Sequence, residues 1–327
     1  MRIAILEPGA WGTALGVLLS KRNKVKVWYE DKKLALKIDR SRKNEKLPEI
    51  KIPQKILISP DLAKTIQAAE LIIIASPSFN LRRTLLKLKE FESLPPLLGI
   101  AKGIEKETLK LPSQIVEELL GRIPYAHLSG AGFAKEIIRG KRAEEVIGSD
   151  NIALLKKLEE VFQIKLFKIP ITTDLLGVQL AGAIKNSLAI GISLVEAAVT
   201  NSKINKIRPK LIRQGLNEMI KIGETMGATK KTFLGSAGLG DLILTSTNPI
   251  SRNFQFGKNL LLDVHKMRKD IRERKITVEG FDTTRALYKL SKKYKLDVPM
   301  INEIYKVVYQ RVPPTKTVKN LIKIATA

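Results

Sequence analysis

Lys185 is the residue whose surroundings say most about chemistry. It stands in Leu180-Ala-Gly-Ala-Ile-Lys-Asn-Ser-Leu-Ala-Ile, a run otherwise small and largely apolar. Burial disfavours a charged ammonium and lowers its pKa toward neutrality, the property a general acid/base needs at physiological pH. The plain alternative is a lysine snorkelling from a helix edge. A second dense segment runs from Gly235 to Asn253. Gly238 and Gly240 allow tight backbone packing before Asp241, whose carboxylate suits orienting Lys185 or holding a substrate hydroxyl. Ser251-Arg252-Asn253 falls where a helix should begin. Backbone donors and an arginine fork at a helix start make a phosphate site. An ordinary N-cap at Ser251 is compatible with that role.

At the other end of the chain, the apolar strand MRIAIL runs into Glu7-Pro8-Gly9-Ala10-Trp11-Gly12. Dinucleotide-binding folds place G-x-G-x-x-G here; the middle glycine admits the pyrophosphate and the last lets helix pack on strand. Gly9 and Gly12 fill those two places. Glu7 replaces the first glycine and Pro8 removes a donor, so the fingerprint by itself is weak. Its context strengthens it, because it follows a strand and opens a helix. About 20 residues on, the second strand ends in Trp28-Tyr29-Glu30-Asp31, where an acid holds the adenosine ribose hydroxyls. An acid there repels a 2′-phosphate and favours NAD over NADP, with NADP left open; a solvated loop is the alternative for both acids.

The elements that must position these residues differ between the two halves. Strand candidates are Arg2–Leu6, Val25–Trp28, Ile56–Ser59, Leu71–Ser76, Leu97–Ala101, Tyr125–Ser129 and Ala143–Gly148, with helical segments between some of them. That alternation predicts an α/β, Rossmann-like N-terminal domain with a mostly parallel sheet, over residues 1–170. Beyond Thr172-Thr173-Asp174, a plausible cap, nearly everything has helical periodicity. Helices are expected from Asp174, Pro209, Ser251 and Thr283, giving an all-α substrate domain over 171–327. Two closely joined domains suggest a cleft for ligands.

Composition narrows the classes. The 327 residues include no cysteine and two histidines, which excludes disulfides, thiol catalysis and an all-histidine or Cys/His zinc site. No metal is expected, although a carboxylate-bound magnesium is not ruled out. The N-terminus lacks a signal-peptide core. The longest apolar stretch, Leu175–Val199, carries Gln179, Lys185, Asn186 and Glu196 and reads as a buried helix, not a membrane segment. The net charge of +26 raises the question of nucleic acid. Lysine outnumbers arginine 41 to 17, spread along the chain, and aromatics are 5%. That pattern fits a solvated surface better than nucleic-acid recognition. The densest run, His265–Lys275, reads as one exposed helix.

Together the motifs resemble one family, the bacterial-type NAD(P)-dependent glycerol-3-phosphate dehydrogenases. Gly177-Val-Gln-Leu-Ala-Gly-Ala-Ile-Lys-Asn is similar to its catalytic-lysine segment. Ala237-Gly-Leu-Gly-Asp-Leu-Ile-Leu-Thr and Ser251-Arg-Asn-Phe-Gln-Phe-Gly are similar to its substrate segment. Gly9-Ala-Trp-Gly-Thr-Ala-Leu, Lys102-Gly-Ile-Glu, Gly132-Phe-Ala-Lys-Glu and Val278-Glu-Gly add matches in order. The resemblance, which runs from residue 1 to roughly 312, implies reversible reduction of dihydroxyacetone phosphate to sn-glycerol 3-phosphate for glycerophospholipid synthesis. It implies Lys185, with Asp241, as the catalytic group. Substrate contacts would come from Lys102, Gly130, Gly132, Lys185, Asp241, Ser251, Arg252 and Asn253. The cofactor would be lined by Gly9, Trp11, Gly12, Glu30, Lys102, Ala134, Arg252, Thr277 and Glu279. A cytoplasmic homodimer is expected, with no nucleic-acid partner. Three departures stand out: Glu7-Pro8 for the usual Gly-Ala, Ala131-Gly132 for the usual Pro-Ser or Pro-Thr, and Glu30 for the usual cofactor-end residue. They leave two rivals, a weakened member retained as a binding protein and a related hydroxyacid dehydrogenase.

Overall fold

The computed structural model describes residues 1–164, 167–273 and 275–327. It divides into two compact units, one of residues 1–101 and 112–175, the other of 102–111 and 176–327. Residues 102–111 fall inside the first domain in chain order, yet they belong to the helical unit. A boundary drawn from periodicity alone misses such an excursion, because ten loop residues carry no periodic signal.

Among the described residues the first unit has nine strands: β1 (Arg2–Leu6), β2 (Lys24–Trp28), β3 (Leu57–Ser59), β4 (Leu71–Ile74), β5 (Leu97–Gly99), β6 (Tyr125–Ala131), β7 (Ala143–Gly148), β8 (Phe167–Lys168) and β9 (Ile171–Thr172). Their order is β3-β2-β1-β4-β5-β6-β7-β8, with β9 also pairing with β7. Every pair is parallel except β6–β7. The seven expected strands are all present, displaced by at most two residues at their ends. The two-residue strands β8 and β9 are too short to have left a pattern.

Strands covered on both faces read as continuous apolar runs, and β4, Leu-Ile-Ile-Ile, is wholly buried. Alternation along β1 separates two cores. Ile3 and Ile5 pack with Leu15, Leu19 and Ile73, whereas Ala4 and Leu6 pack with Leu81, Leu85 and Ile115. The order reverses at β1, so the crevice beyond the C-terminal ends of β1 and β4 is the ligand position of such a sheet.

The second unit is organised by the helix Leu175–Ala198, in which Gly177 through Val195 are all buried. A helix apolar on every side must be surrounded. Among the described residues it is the one helix long and apolar enough to cross a membrane, and 89% of its most apolar window is covered by the protein itself. Neighbouring helices approach at small residues: a Cβ on Gly191 would fall 2.6 Å from Ile304, and one on Gly257 2.0 Å from the Ser193 hydroxyl.

Three helical expectations need correction. The helix placed from Pro209 begins at Asn201. Ile204, Ile207 and Leu211 continue one buried stripe through the proline, and that burial outweighs the lost backbone bond. The helix placed from Thr283 begins at Glu279, with Glu279 and Asp282 in its first turn, where the helix dipole favours acids. The helix expected over His265–Lys275 runs Val264–Arg272 and is not exposed throughout. Arg268 is buried, its Nε donating to the Val308 carbonyl at 2.9 Å and its Nη2 to that of Val307. Arg274 of that run lies outside the described residues.

One buried acid ties two of these helices together. Glu218, in Asn201–Thr225, accepts from the backbone N–H groups of Met300 (2.7 Å) and Ile301 (3.0 Å), the first turn of Pro299–Tyr309. Burial pushes its carboxyl up to about 7 despite those two bonds. A folded value above the unfolded one means that the native state holds the proton more tightly. The resulting stabilisation is complete below the unfolded value of 4.5 and fades as pH rises through about 7. We expect melts of wild type and Glu218→Gln to diverge with pH. Wild type should lose roughly 3 kcal/mol relative to the variant between pH 4.5 and 8, at 1.36 kcal/mol per pKa unit. A constant offset across that range would contradict this.

Candidate active site

Lys185 lies midway along the buried helix Leu175–Ala198 and is 6% exposed. The chain supplies its partner from a single π-turn, Ser236–Gly240, that leads straight into the helix Asp241–Thr247. Glycine is required there: a Cβ on Gly238 would lie 2.1 Å from the Phe233 carbonyl oxygen. The turn delivers Asp241 as the first helical residue, with Thr245 one turn on along the same face.

The resulting cluster is compact. Lys185 Nζ donates to Asp241 Oδ1 at 2.9 Å and to Thr245 Oγ1 at 2.6 Å. Thr245 Oγ1 in turn donates to Asp241 Oδ1 at 3.1 Å. Lys102 Nζ donates to the other oxygen, Oδ2, at 2.8 Å. Two ammonium groups thus share one carboxylate, leaving a net positive charge. Burial lowers the Lys185 pKa below the ordinary lysine range, and the Asp241 charge opposes this without cancelling it. For Asp241 burial acts upward, but the Lys102 and Lys185 charges outweigh it and hold the carboxyl below its usual range. The pair is therefore an anion beside an ammonium whose charged form burial disfavours.

A relay of amides locks the surroundings. Asn186 Nδ2 donates to the Lys102 carbonyl (3.1 Å), Asn253 Nδ2 donates to Asn186 Oδ1 (2.7 Å), and the Gly280 N–H donates to Asn253 Oδ1 (3.0 Å). Asn253 is thereby engaged with protein groups at both ends of its amide. Thr245 and Asn186 were not singled out from the sequence. Thr245 was legible as the residue four after Asp241, and Asn186 as the neighbour of Lys185. Ser251 caps the helix Arg252–Leu262, its hydroxyl accepting from the Phe254 N–H at 3.2 Å, and Arg252 beside it is exposed. Thr277 is half-buried, and Glu279, also half-buried, acts on Lys185 through its charge.

The remaining predicted residues lie in the first unit. Gly9 precedes the helix Ala10–Leu19, and a Cβ there would meet only Lys46, at 3.9 Å, so the backbone faces open space. A Cβ on Gly12 would fall 2.6 Å from that of Ala75, which is the close helix–strand packing the fingerprint requires. This open backbone after β1, with an acid beyond β2, fits a dinucleotide. Trp11 donates its indole N–H to the Gly132 carbonyl at 2.9 Å, and Ala134 opens the helix Ala134–Ile138.

The departures have physical explanations. Glu7 adopts the left-handed backbone (φ 53°) that glycine usually supplies. Its own N–H donates to the Trp28 carbonyl (2.8 Å), and its Oε1 accepts from the Glu30 N–H (2.5 Å). Burial raises the Glu7 carboxyl above its usual range. At Gly132 a Cβ would sit 2.6 Å from Oε1 of the buried Glu145, which fills the space a larger residue would need. Glu30 is not a free carboxylate: Arg83 Nη2 lies 2.7 Å and Lys87 Nζ 3.2 Å from its Oε1. Partial burial acts upward on it, but those two cations prevail and lower its pKa. Asp31 is an N-cap, its Oδ1 accepting from the Leu34 N–H at 3.1 Å.

Comparison with known proteins agrees with the two-part fold. Residues 2–155 match the model of the NAD-dependent glycerol-3-phosphate dehydrogenase N-terminus, and residues 174–319 that of its C-terminus. The chain is 36% identical over 327 residues to glycerol-3-phosphate dehydrogenase (NAD(P)+) of Janthinobacterium sp. (strain Marseille), covering 98% of this chain and 97% of that one. Identity to the protein of the same name from Thermoanaerobacter sp. (strain X514) is 33% over 325 residues, with the same coverage. Among solved structures, glycerol-3-phosphate dehydrogenase from Coxiella burnetii superposes with a TM-score of 0.91 at 28% identity, over 98% of each chain. With both halves matched in order and the relatives aligned end to end, this chain belongs to the NAD-dependent glycerol-3-phosphate dehydrogenase family.

Proposed function

We propose that the protein catalyses reversible reduction of dihydroxyacetone phosphate to sn-glycerol 3-phosphate with NADH or NADPH, supplying glycerophospholipid synthesis. The observation that carries this is the buried cluster of Lys185, Asp241, Thr245 and Lys102, in which a lysine of lowered pKa is held by an ionised acid. When bound, the nicotinamide supplies or accepts the hydride; the protein's task is placement of substrate and proton. In the reductive direction, protonated Lys185 Nζ donates to the ketone oxygen on the middle carbon and delivers its proton there as negative charge develops. In the oxidative direction the neutral amine accepts that proton from the hydroxyl. Asp241 and Thr245 fix Nζ in one position, which keeps the donor aligned.

The net positive cluster favours an anionic substrate over a neutral one. Arg252, exposed at the start of a Ser251-capped helix of 11 residues, combines a guanidinium fork with free backbone donors and suits the phosphate. Among the described residues Arg252 is not a hydrogen-bond partner of the Lys185 cluster, so anchoring and proton transfer fall to different groups. Gly9, Gly12 and Trp11, with Glu30 beyond β2, would hold the cofactor on the first unit. A related hydroxyacid dehydrogenase would have no use for a phosphate anchor at Ser251-Arg252. The same proposal has the enzyme acting in the cytoplasm as a homodimer.

A coupled assay of dihydroxyacetone phosphate reduction with each cofactor tests the activity, and failure with both would refute it. Lys185→Ala should fold, since alanine suits a helix, and should lose turnover by about 10²–10⁴-fold. Near-normal turnover in a folded variant would remove Lys185 from the chemistry.

The pH profile carries a sign. Reduction needs Lys185 protonated, so its rate should fall as pH rises through the lowered Lys185 pKa. Oxidation should rise over the same interval. The Asp241 charge is what holds that pKa up, so Asp241→Asn should move the descending limb of reduction to lower pH. An unmoved or upward-shifted limb would show that another group titrates.

Arg252→Leu should raise KM for the phosphorylated substrate by one to two orders of magnitude, about the scale of a lost charge-assisted contact. Lysine there should restore only part, for want of the planar fork. Unchanged KM in Arg252→Leu would put the phosphate elsewhere.

A further inference from the structure

An acid at the end of β2 is the feature that binds the adenosine ribose diol and repels a 2′-phosphate. Taken alone, Glu30 makes this an NAD site. The structure gives Glu30 two partners that the sequence did not link to it. Arg83 and Lys87 lie four residues apart on the helix Leu81–Leu88, hence on one face, and both reach the same carboxylate oxygen. That helix follows β4, which flanks β1 on the side opposite β2. The two cations therefore reach the ribose end of β2 from the far side of the crevice. The Glu30 backbone, meanwhile, is pinned by Glu7. Two cations thus meet the single Glu30 carboxylate, with the Glu7 carboxyl beside its backbone, within a hydrogen bond's reach of the atoms that would meet the ribose.

We infer that Arg83 and Lys87 are specificity-determining residues that let this acid-ended strand accept the 2′-phosphate of NADP as well as the diol of NAD; this rests on the first unit being the cofactor domain. With NAD, Glu30 stays clamped and offers its acceptor capacity to the diol. With NADP, the phosphate replaces the carboxylate as the anion that the two cations hold. The exchange substitutes one anion for another of higher charge, so the cations are never left unpaired. Arg83 suits it on two further grounds. Its side chain is 66% exposed, so it can turn without disturbing the core, and its fork matches phosphate oxygens. Salt screens the dispersed lysines of the +26 surface at distances beyond about 8–10 Å, but not a cation in contact with the ligand.

The test is calorimetric binding of NADH, NADPH, AMP and adenosine 2′,5′-bisphosphate to wild type and to Arg83→Gln/Lys87→Gln, with thermal melts to establish folding. The double variant should weaken NADPH and the bisphosphate about tenfold or more relative to NADH and AMP, the scale of losing one charge-assisted contact. Glu30→Gln should shift the ratio the other way, because it frees both cations. If all four ligands bind and the double variant leaves their ratios unchanged, or moves them toward NADPH, the inference is overturned while the cofactor domain stands. If wild type binds none of the four, the cofactor reading itself fails and takes the inference with it.

Discussion

The second unit depends on one buried carboxylate shared by two lysines. A charge removed from water is tolerated only when it is paired and hydrogen-bonded, and Asp241 meets that condition with Lys185, Thr245 and Lys102. Much of the surrounding architecture serves to bring these four together. Lys185 must sit on a helix buried on every side, Asp241 on a turn that only glycine can make, and Lys102 on a segment that leaves the first unit's chain order to join the second. The same geometry prevents mutual neutralisation. Burial, with the neighbouring Lys102 charge, lowers the Lys185 pKa against the opposing pull of Asp241.

The amide relay through Asn186, Asn253 and Gly280 gives this cluster its stiffness. It fixes the Lys102 carbonyl with hydrogen bonds that leave the Asn253 amide committed to protein partners. Asn253 therefore acts on the site through the backbone it holds. Proton-transfer sites need this kind of support, because a donor displaced by an ångström loses much of its alignment.

The unusual residues of the first unit are accommodated in place. Glu7 in a left-handed conformation costs on the order of 1–2 kcal/mol. It is offset by two hydrogen bonds, one backbone–backbone and one to the Glu7 carboxylate, that join the ends of β1 and β2. Gly132 is small because Glu145 fills the adjacent volume, and Glu30 is masked by cations from another helix. Glu7, Gly132 and Glu30 thus each have a neighbour that accommodates them.

The sequence by itself determined what is local or periodic. Alternating apolar runs specified seven strands of a parallel-dominated sheet, and the buried helical stripe identified the core helix around Lys185. The spacing of Gly9 and Gly12 after β1, and of Asp241 after its glycines, marked the two segments on which the proposed chemistry rests. Tertiary structure decided what depends on residues far apart in the chain. The pairing of Lys102 with Asp241 spans 139 positions, and that of Arg83 with Glu30 spans 53. Neither has a local signature, because any surface lysine or arginine looks alike until the fold brings an acid beside it. The helix start at Asn201 was hidden for a related reason: proline reads locally as a beginning, and only the burial of Ile204, Ile207 and Leu211 against the rest of the unit carries the helix through it. Periodicity follows from the backbone's own geometry, whereas charge partners and glycine requirements follow from which surfaces the fold presses together.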